Sequence, residues 1–385
     1  MSAPVSAVTP AASESLASMP ESPPEHRPAV KTPQAEPVWV LLGSKRGDNS
    51  QLLALADSLG LPYRALPLRF NALHWLPPAL LGASRCNLKD RRLLDGPAPN
   101  LVLSSGRRSV ATARWLRQQA GAGCRLVHVG RPWGPLHWFD LIITTPQYAL
   151  PAADNVQHNL LPMLDAAPPA PEPMALSERF AQLPRPWTVV ILGGPSRPLV
   201  LTPDVAKELA RQLDREQAER GGSLMVVASP RTPAGCVPAM QPLLRGPHAL
   251  YAWGEPDNPY SALRAQADRF VVTDDSVQML SELLLSGRPV QVFPLPERPD
   301  LLMRLVRAWA RAAEQPGWRQ RCFHWARDRG LLASLRSVSL FHRQLAAAGA
   351  LGNPERVREL TAIERQTTLE RVRRLLREAQ ASSAR

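Results

Sequence analysis

The chain has 385 residues, 44% of them apolar, with 46 Lys and Arg against 33 Asp and Glu and a formal net charge of +13. That is enough for two domains with separate cores, and no apolar run approaches the length of a membrane-spanning helix. The start lacks a signal-peptide pattern, and Glu14, Glu21 and Glu25 precede the first arginine, Arg27, unlike a transit peptide.

Residues 1–36, rich in Pro, Ser, Ala and Glu, have too little apolar material to pack and read as a disordered tail. Val38 to Leu42 is a buried strand by length and apolarity, Gly43 to Asn49 a loop, and Ser50 to Leu59 a helix. Asn71 to Gly82, with Trp75 and several leucines, reads as a buried helix, with a membrane-surface contact as the alternative. Leu101 to Leu103, Arg125 to Val129 and Leu141 to Thr144 are further strands, and Arg108 to Gln119 is a helix. The proline-rich stretch within 166–185 reads as a linker between a first domain, 37–165, and a second, 186–298. There the plan restarts, with strands at Trp187–Leu192, Leu224–Ala228, Phe270–Val272 and Val290–Phe293 and a helix from Asp204 to Glu219. The expected fold class is α/β: two Rossmann-like domains with parallel sheets, facing a cleft, and a helical, Arg-rich C-terminal region, 299–385.

Charge is uneven. Lysine occurs four times and arginine 42 times, and from Leu301 onward 17 arginines face seven acidic residues. A solvated Arg/Glu helical surface is the simplest reading, with an anionic lipid surface or nucleic acid as alternatives, nucleic acid the less favoured. Cys86, Cys124, Cys236 and Cys322 stand singly, without metal-ligand spacing, and read as free buried thiols of a reducing, cytoplasmic compartment. No metal and no resident cofactor is expected, because no Asp-x-Asp pair appears and Asp274 and Asp275 are adjacent rather than spaced.

Phosphate chemistry is suggested by residues 270–295, which read strand, polar loop, helix, Gly turn, strand. Ser276 can cap the helix, and the amides beginning at Val277, after Asp275, present the positive end of its dipole to an anion. Glu282 lies six residues on, about 9 Å along the helix, where it can accept from sugar hydroxyls. An ordinary capped βαβ unit explains the same spacing. Gly194, Ser196, Arg197 and Arg231 follow the first two strands of the second domain and can stabilise a leaving diphosphate. In the first domain Gly47, Asp48, Asn49 and Gln51 follow the first strand, at the edge where open α/β sheets bind ligands. This loop is not GxxxxGK[ST], so it is no P-loop. Asp48 can act as a general base on an acceptor hydroxyl or simply cap the next helix. Arg107 and Arg108 oppose the dipole of their helix unless an anion binds there, and Arg131 and Gln147 follow later strands at the same edge. His128, inside a strand, reads as a core histidine.

Ser276, Glu282, Gly287, Pro289 and Pro294 together resemble the nucleotide-sugar segment of GT-B glycosyltransferases. A longer resemblance covers nearly all of 38–295. Its matching stretches are Gly47-Asp48-Asn49-x-Gln51, Ser105 to Ser109, Val127 to Trp133, Phe139 to Tyr148, Gly193-Gly194-Pro195, and Asn258-Pro259-Tyr260 leading into Val272 to Val277. By these the chain is similar to the elongated-mitochondria type of mitochondrial fission protein, within the GT-B-like superfamily. Pro230 stands where that resemblance implies a second basic residue. The resemblance implies a nucleoside diphosphate-sugar bound by the second domain and a glycan or lipid acceptor of the cell envelope in the first, with a peripheral place on the inner membrane face. It equally admits a non-catalytic adaptor that recruits partners.

Overall fold

The structure, a computed structural model, describes residues 36–164, 178–256, 258–328 and 337–383. The expected tail, apart from Glu36, and residues 165–177 of the linker region lie outside the described residues.

The first half is built on six parallel strands: β1 (Val38–Leu42), β2 (Tyr63–Pro67), β3 (Leu101–Ser105), β4 (Arg125–Val129), β5 (Leu141–Thr144) and β6 (Val156–His158), in spatial order β2-β1-β3-β4-β5-β6. Continuous apolar runs such as Val38-Trp-Val-Leu-Leu suit strands covered on both faces. Helix α1 (Arg46–Leu59) covers one face, burying Leu52, Leu55 and Leu59 against Val38, Val40, Leu101 and Leu103. On the other face α3 (Gly106–Ala120), which follows the short α2 (Pro78–Leu81), buries Val110, Ala113 and Leu116 beside Trp39 and Leu41.

After α4 (Glu178–Ala181) the plan repeats. Strands β7 (Trp187–Leu192), β8 (Ser223–Ala228), β9 (His248–Tyr251), β10 (Arg269–Thr273) and β11 (Val290–Phe293) form a parallel sheet in the order β11-β10-β7-β8-β9. Helices α5 (Pro203–Arg220), α6 (Cys236–Met240), α7 (Tyr260–Gln266) and α8 (Val277–Leu285) connect them. The chain then runs through α9 (Leu301–Ala312), α10 (Trp318–Asp328), α11 (Val338–Ala347) and α12 (Pro354–Ser383). The architecture is therefore α/β with two Rossmann-like parallel sheets and a helical C-terminal region.

That C-terminal region is not a solvated appendage. Phe341 and Leu345 of α11 and Val357 of α12 are buried in the core of the second half. Further along α12, Val372 and Leu376 are buried in the core of the first. Between those points Glu364 accepts from the Leu160 and Leu161 amides at 2.7 and 3.4 Å, and buried Thr368 accepts from Asn159 Nδ2 at 3.1 Å. Helix α12 thus packs into both halves.

Two local expectations are corrected. Helix α1 starts at Arg46, so Asp48 and Asn49 lie in its first turn rather than in a loop. The Asn49 side chain explains this: Oδ1 accepts from the Gly43 amide at 2.8 Å and Nδ2 donates to the Gly43 carbonyl at 2.9 Å, which shortens the loop. Asn71 to Gly82 is not a buried helix either. It is two short helical turns that leave Trp75 70% and Leu80 73% exposed.

Candidate functional site

At the carboxyl edge of the first sheet lies a cavity of about 460 Å³. Its floor is strand ends, and its rim is formed by the starts of α1 and α3. Lys45, Arg107, Arg108 and Arg131 line it, with Asp48 as the one acidic lining residue. The start of α3 is unusual in composition. Its N-cap, Ser105, makes no side-chain capping bond, its first turn holds no acidic residue, and it carries Arg107 and Arg108. Two guanidinium groups at the positive end of a helix repel one another and the dipole, a cost that a bound anion removes. Burial, and then Arg108, lower the pKa of Arg107, whose Nη2 donates to the His74 carbonyl at 3.3 Å.

Arg131 is 5% exposed and lies with its guanidinium 4.9 Å from the Trp133 ring centre. Gly130 and Trp133 both take left-handed backbone (φ 88° and 56°), which folds this loop back at the end of β4. For tryptophan that conformation is costly and needs support from its surroundings. Gln147 also lines the cavity, 4% exposed, and its Oε1 has no hydrogen-bond partner among the described residues. A buried acceptor left unsatisfied costs about 1–3 kcal/mol, so a ligand that brings a hydroxyl or N–H to it recovers that amount. Asp48 faces the start of α3: a Cβ built on Gly106 would stand 3.7 Å from its Oδ2. Gln51 lines the same cavity, and its Nε2 donates to the Gly47 carbonyl at 3.3 Å. His128 is the core histidine expected: its Nδ1 pairs with Ser104 Oγ at 3.0 Å, and burial pushes its pKa down to about 3.

In the second half the candidate residues gather at the corresponding edge, but several are turned toward one another. Asp275 is fully buried. Its carboxylate accepts from the Gly194 amide at 3.0 Å, Thr273 Oγ1 at 2.6 Å and Arg231 Nη2 at 2.6 Å. A Cβ on Gly193 would collide with that carboxylate, and one on Gly194 with the backbone of Arg231, which is why the turn after β7 is Gly-Gly. Ser276 is the N-cap of α8, its Oγ accepting from Met279 N at 3.4 Å, and Val277 is the buried first residue of the helix. Glu282 accepts from Tyr260 Oη and Arg264 Nη1, both at 3.2 Å, and from Gln278 Nε2 at 3.0 Å. Burial, and then the Glu282 charge, raise the pKa of Tyr260. Ser196 lies in the turn closed by its amide on Leu199 O at 3.1 Å. Arg197 stands apart, 84% exposed and 3.4 Å from Asp300.

The two edges meet. A Cβ on Gly47, in the first turn of α1, would fall on the Gln278 amide in the first turn of α8. Gln278 therefore reaches across to α1 and also donates to Glu282, a role that no sequence motif marks. Lys45 and Thr145 of the cavity were missed as well. Lys45 stands in the glycine loop already singled out, and Thr145 two residues before Gln147, so proximity in sequence was the available signal. Trp133 and Tyr148, in the stretches read from sequence as able either to line a cleft or to pack, both line the cavity.

A sequence profile described as "Mitochondrial fission ELM1" matches residues 46–318. The chain belongs to the mitochondrial fission ELM1 family. Among relatives, "Mitochondrial fission protein ELM1" of Arabidopsis thaliana is 28% identical over 227 residues, 52% of this chain and 53% of that one. The chain thus spans about half the length of this ELM1 relative. An uncharacterized Rickettsia prowazekii protein is 24% identical over 294 residues, 66% of this chain and 82% of its own. Solved structures similar to the chain include Staphylococcus aureus MnaA with UDP (12% identical, TM-score 0.44, covering 86% of this chain and 97% of that one). Acinetobacter baumannii MurG is another (12% identical, TM-score 0.39, covering 86% and 99%).

Proposed function

We propose that this ELM1-family chain is a glycosyltransferase: the start of α8 holds the diphosphate of a nucleotide sugar, and the first-half cavity holds the acceptor. The observation that carries this reading is the meeting of α1 and α8 at Gly47 and Gln278. That contact sets the Ser276 helix start beside the α1 turn that carries Lys45 and Asp48 of the cationic cavity. The diphosphate takes the amides that begin at Val277, with Arg231 alongside, and the free lone pair of Glu282 Oε1 accepts from a ribose hydroxyl. The acceptor oxygen attacks the anomeric carbon as its bond to the diphosphate breaks, Asp48 takes the hydroxyl proton, and the nucleoside diphosphate leaves with the bonding pair. The unpartnered Gln147 Oε1 and the four cations favour an acceptor that is both hydroxylated and anionic, such as a sugar phosphate or a phospholipid-linked glycan. No resident metal or cofactor takes part in this scheme.

A specific observation favours a second reading, a non-catalytic adaptor. Asp275 and Glu282 are each held by three protein donors, so donor-side groups already satisfy one another. Release of free nucleoside diphosphate from a panel of nucleotide sugars, followed by chromatography, separates the two. The transferase releases it slowly to water, and Asp48→Asn slows that release at least tenfold without loss of donor affinity. Donor binding with no release in the wild-type chain, even with envelope extract supplied as acceptor, leaves the adaptor.

A further inference from the structure

The α9–α10 hairpin presents its apolar side chains outward. Leu301, Leu302 and Leu305 are 73%, 63% and 60% exposed, and Trp318 and Trp325 are 65% and 55% exposed. This is not the frayed end of a core. The hairpin has a small core of its own, in which Phe323, Ala313 and Ala326 are buried and Trp309 meets Phe323 edge-on at 5.5 Å. The leucines begin the same apolar side of α9, ahead of the part that α10 covers. At about 100° per residue Leu301 and Leu305 share one stripe at its outer border, Leu302 is in line with Trp309, and Val306, Ala310 and Ala313 turn to α10.

Arginines sit along the border of that stripe. Arg304 and Arg311 stand within about 80° of Leu301 on that border, and Arg307, further round the helix, pairs with Glu297 at 2.8 Å. On α10, Trp318 and Trp325 are seven residues apart, on one face, with Arg321 between them. Across residues 298–328 there are seven arginines and three acidic residues. We infer that this hairpin docks on an anionic lipid surface, with the leucines and tryptophans at the headgroup–acyl boundary and the arginines on lipid phosphates. The charge complementarity selects this occupant. Arginine stems lie along apolar surface while their heads reach phosphate, tryptophan favours the interfacial layer, and aliphatic leucine finds its partner in acyl chains. A nucleic-acid backbone would satisfy the arginines and leave the three leucines in water. The inference does not depend on the cleft or on catalysis.

The test is co-sedimentation of the full chain with vesicles of phosphatidylcholine containing 30 mol% phosphatidylglycerol, against phosphatidylcholine alone. The wild-type chain sediments with the anionic vesicles at least tenfold more than with the neutral ones, and 0.5 M salt weakens the binding. The triple variant Leu301→Ser/Leu302→Ser/Leu305→Ser loses at least tenfold in partitioning. Its melting temperature stays unchanged, because the three side chains are mostly exposed, and Ile363→Ser, on α12 and 55% exposed, binds as the wild type does. Cys322, against the expectation of four buried thiols, is exposed between the two tryptophans because it shares their outward face of α10, and an environment-sensitive fluorophore on it shifts to the blue when anionic vesicles are added. The inference is overturned if the chain ignores anionic vesicles. It is equally overturned if the triple variant binds them unchanged, if the stripe instead supports self-association, or if the hairpin binds only single-stranded RNA.

Discussion

Two adjacent carboxylates at the end of β10 do different work because one is fully enclosed by donors and the other is not. Asp275 is surrounded by the Gly194 amide, Thr273 and Arg231, and it fixes the Gly193–Gly194 turn to the strand beside it. Asp274 accepts from the Leu295 amide at 3.0 Å, and burial followed by the Asp275 charge raises its pKa to about 6. The unfolded value is about 3.9. Between those limits the folded protein binds a proton that the unfolded chain has released, so this group's contribution to stability falls as pH rises through about 4 to 6. Above that window the ionised carboxylate is a standing cost. Asp274→Asn keeps an oxygen to accept from Leu295 and removes the charge. The variant is expected to gain melting temperature over the wild type at pH 7.5 and to show little or no gain at pH 4. An equal difference at both values would mean that the Asp274 charge is not what the fold resists.

Among the elements, the central strands were legible and three of the four edge strands were not. The bounds predicted for β4, β5 and β7 match the observed ones, because a strand covered on both faces reads as an apolar run. Those of the edge strand β11 match because Pro289 and Pro294 bracket its Val290-Gln-Val-Phe run. The strands β2, β6 and β9 went unrecognised. Each lies at the edge of its sheet and carries exposed or polar positions, as in Tyr63-Arg-Ala-Leu-Pro. The glycine loops after β1 and β7 were visible as ligand-edge turns. What escaped was which way their neighbours face: nothing in the order of residues says that Asn49 turns back to Gly43 or that Asp275 turns inward to Gly194. The largest misjudgement concerned α12. Its Arg/Glu composition suggested a solvated helix, yet Val372, Leu376 and Ala379, at four- and three-residue spacing, form a buried stripe. Leu376 is 4% exposed and belongs to the core of the first half. Leu376→Ala should therefore lower the free energy of urea unfolding by about 2–5 kcal/mol. A loss below about 0.5 kcal/mol would return α12 to the surface.

At the scale of the whole molecule, the two sheets and the long returning helix form a frame whose candidate site residues lie at two edges that meet at Gly47 and Gln278. The first edge is cationic with a single carboxylate, and the second is a set of mutually bonded donors and acceptors at the start of α8. Among the described residues no helix is long and apolar enough to cross a membrane. The proposed transfer requires a nucleotide sugar to enter the cleft, and thermal unfolding in the presence of nucleoside diphosphates and their sugars tests that most directly. A ligand that binds the folded chain alone, supplied at 100 times its dissociation constant, adds about 2.7 kcal/mol of stability. The expected result is a concentration-dependent rise in melting temperature with at least one uridine or guanosine diphosphate ligand, weakened by Glu282→Ala. No rise with any nucleoside diphosphate, free or sugar-linked, would contradict the account.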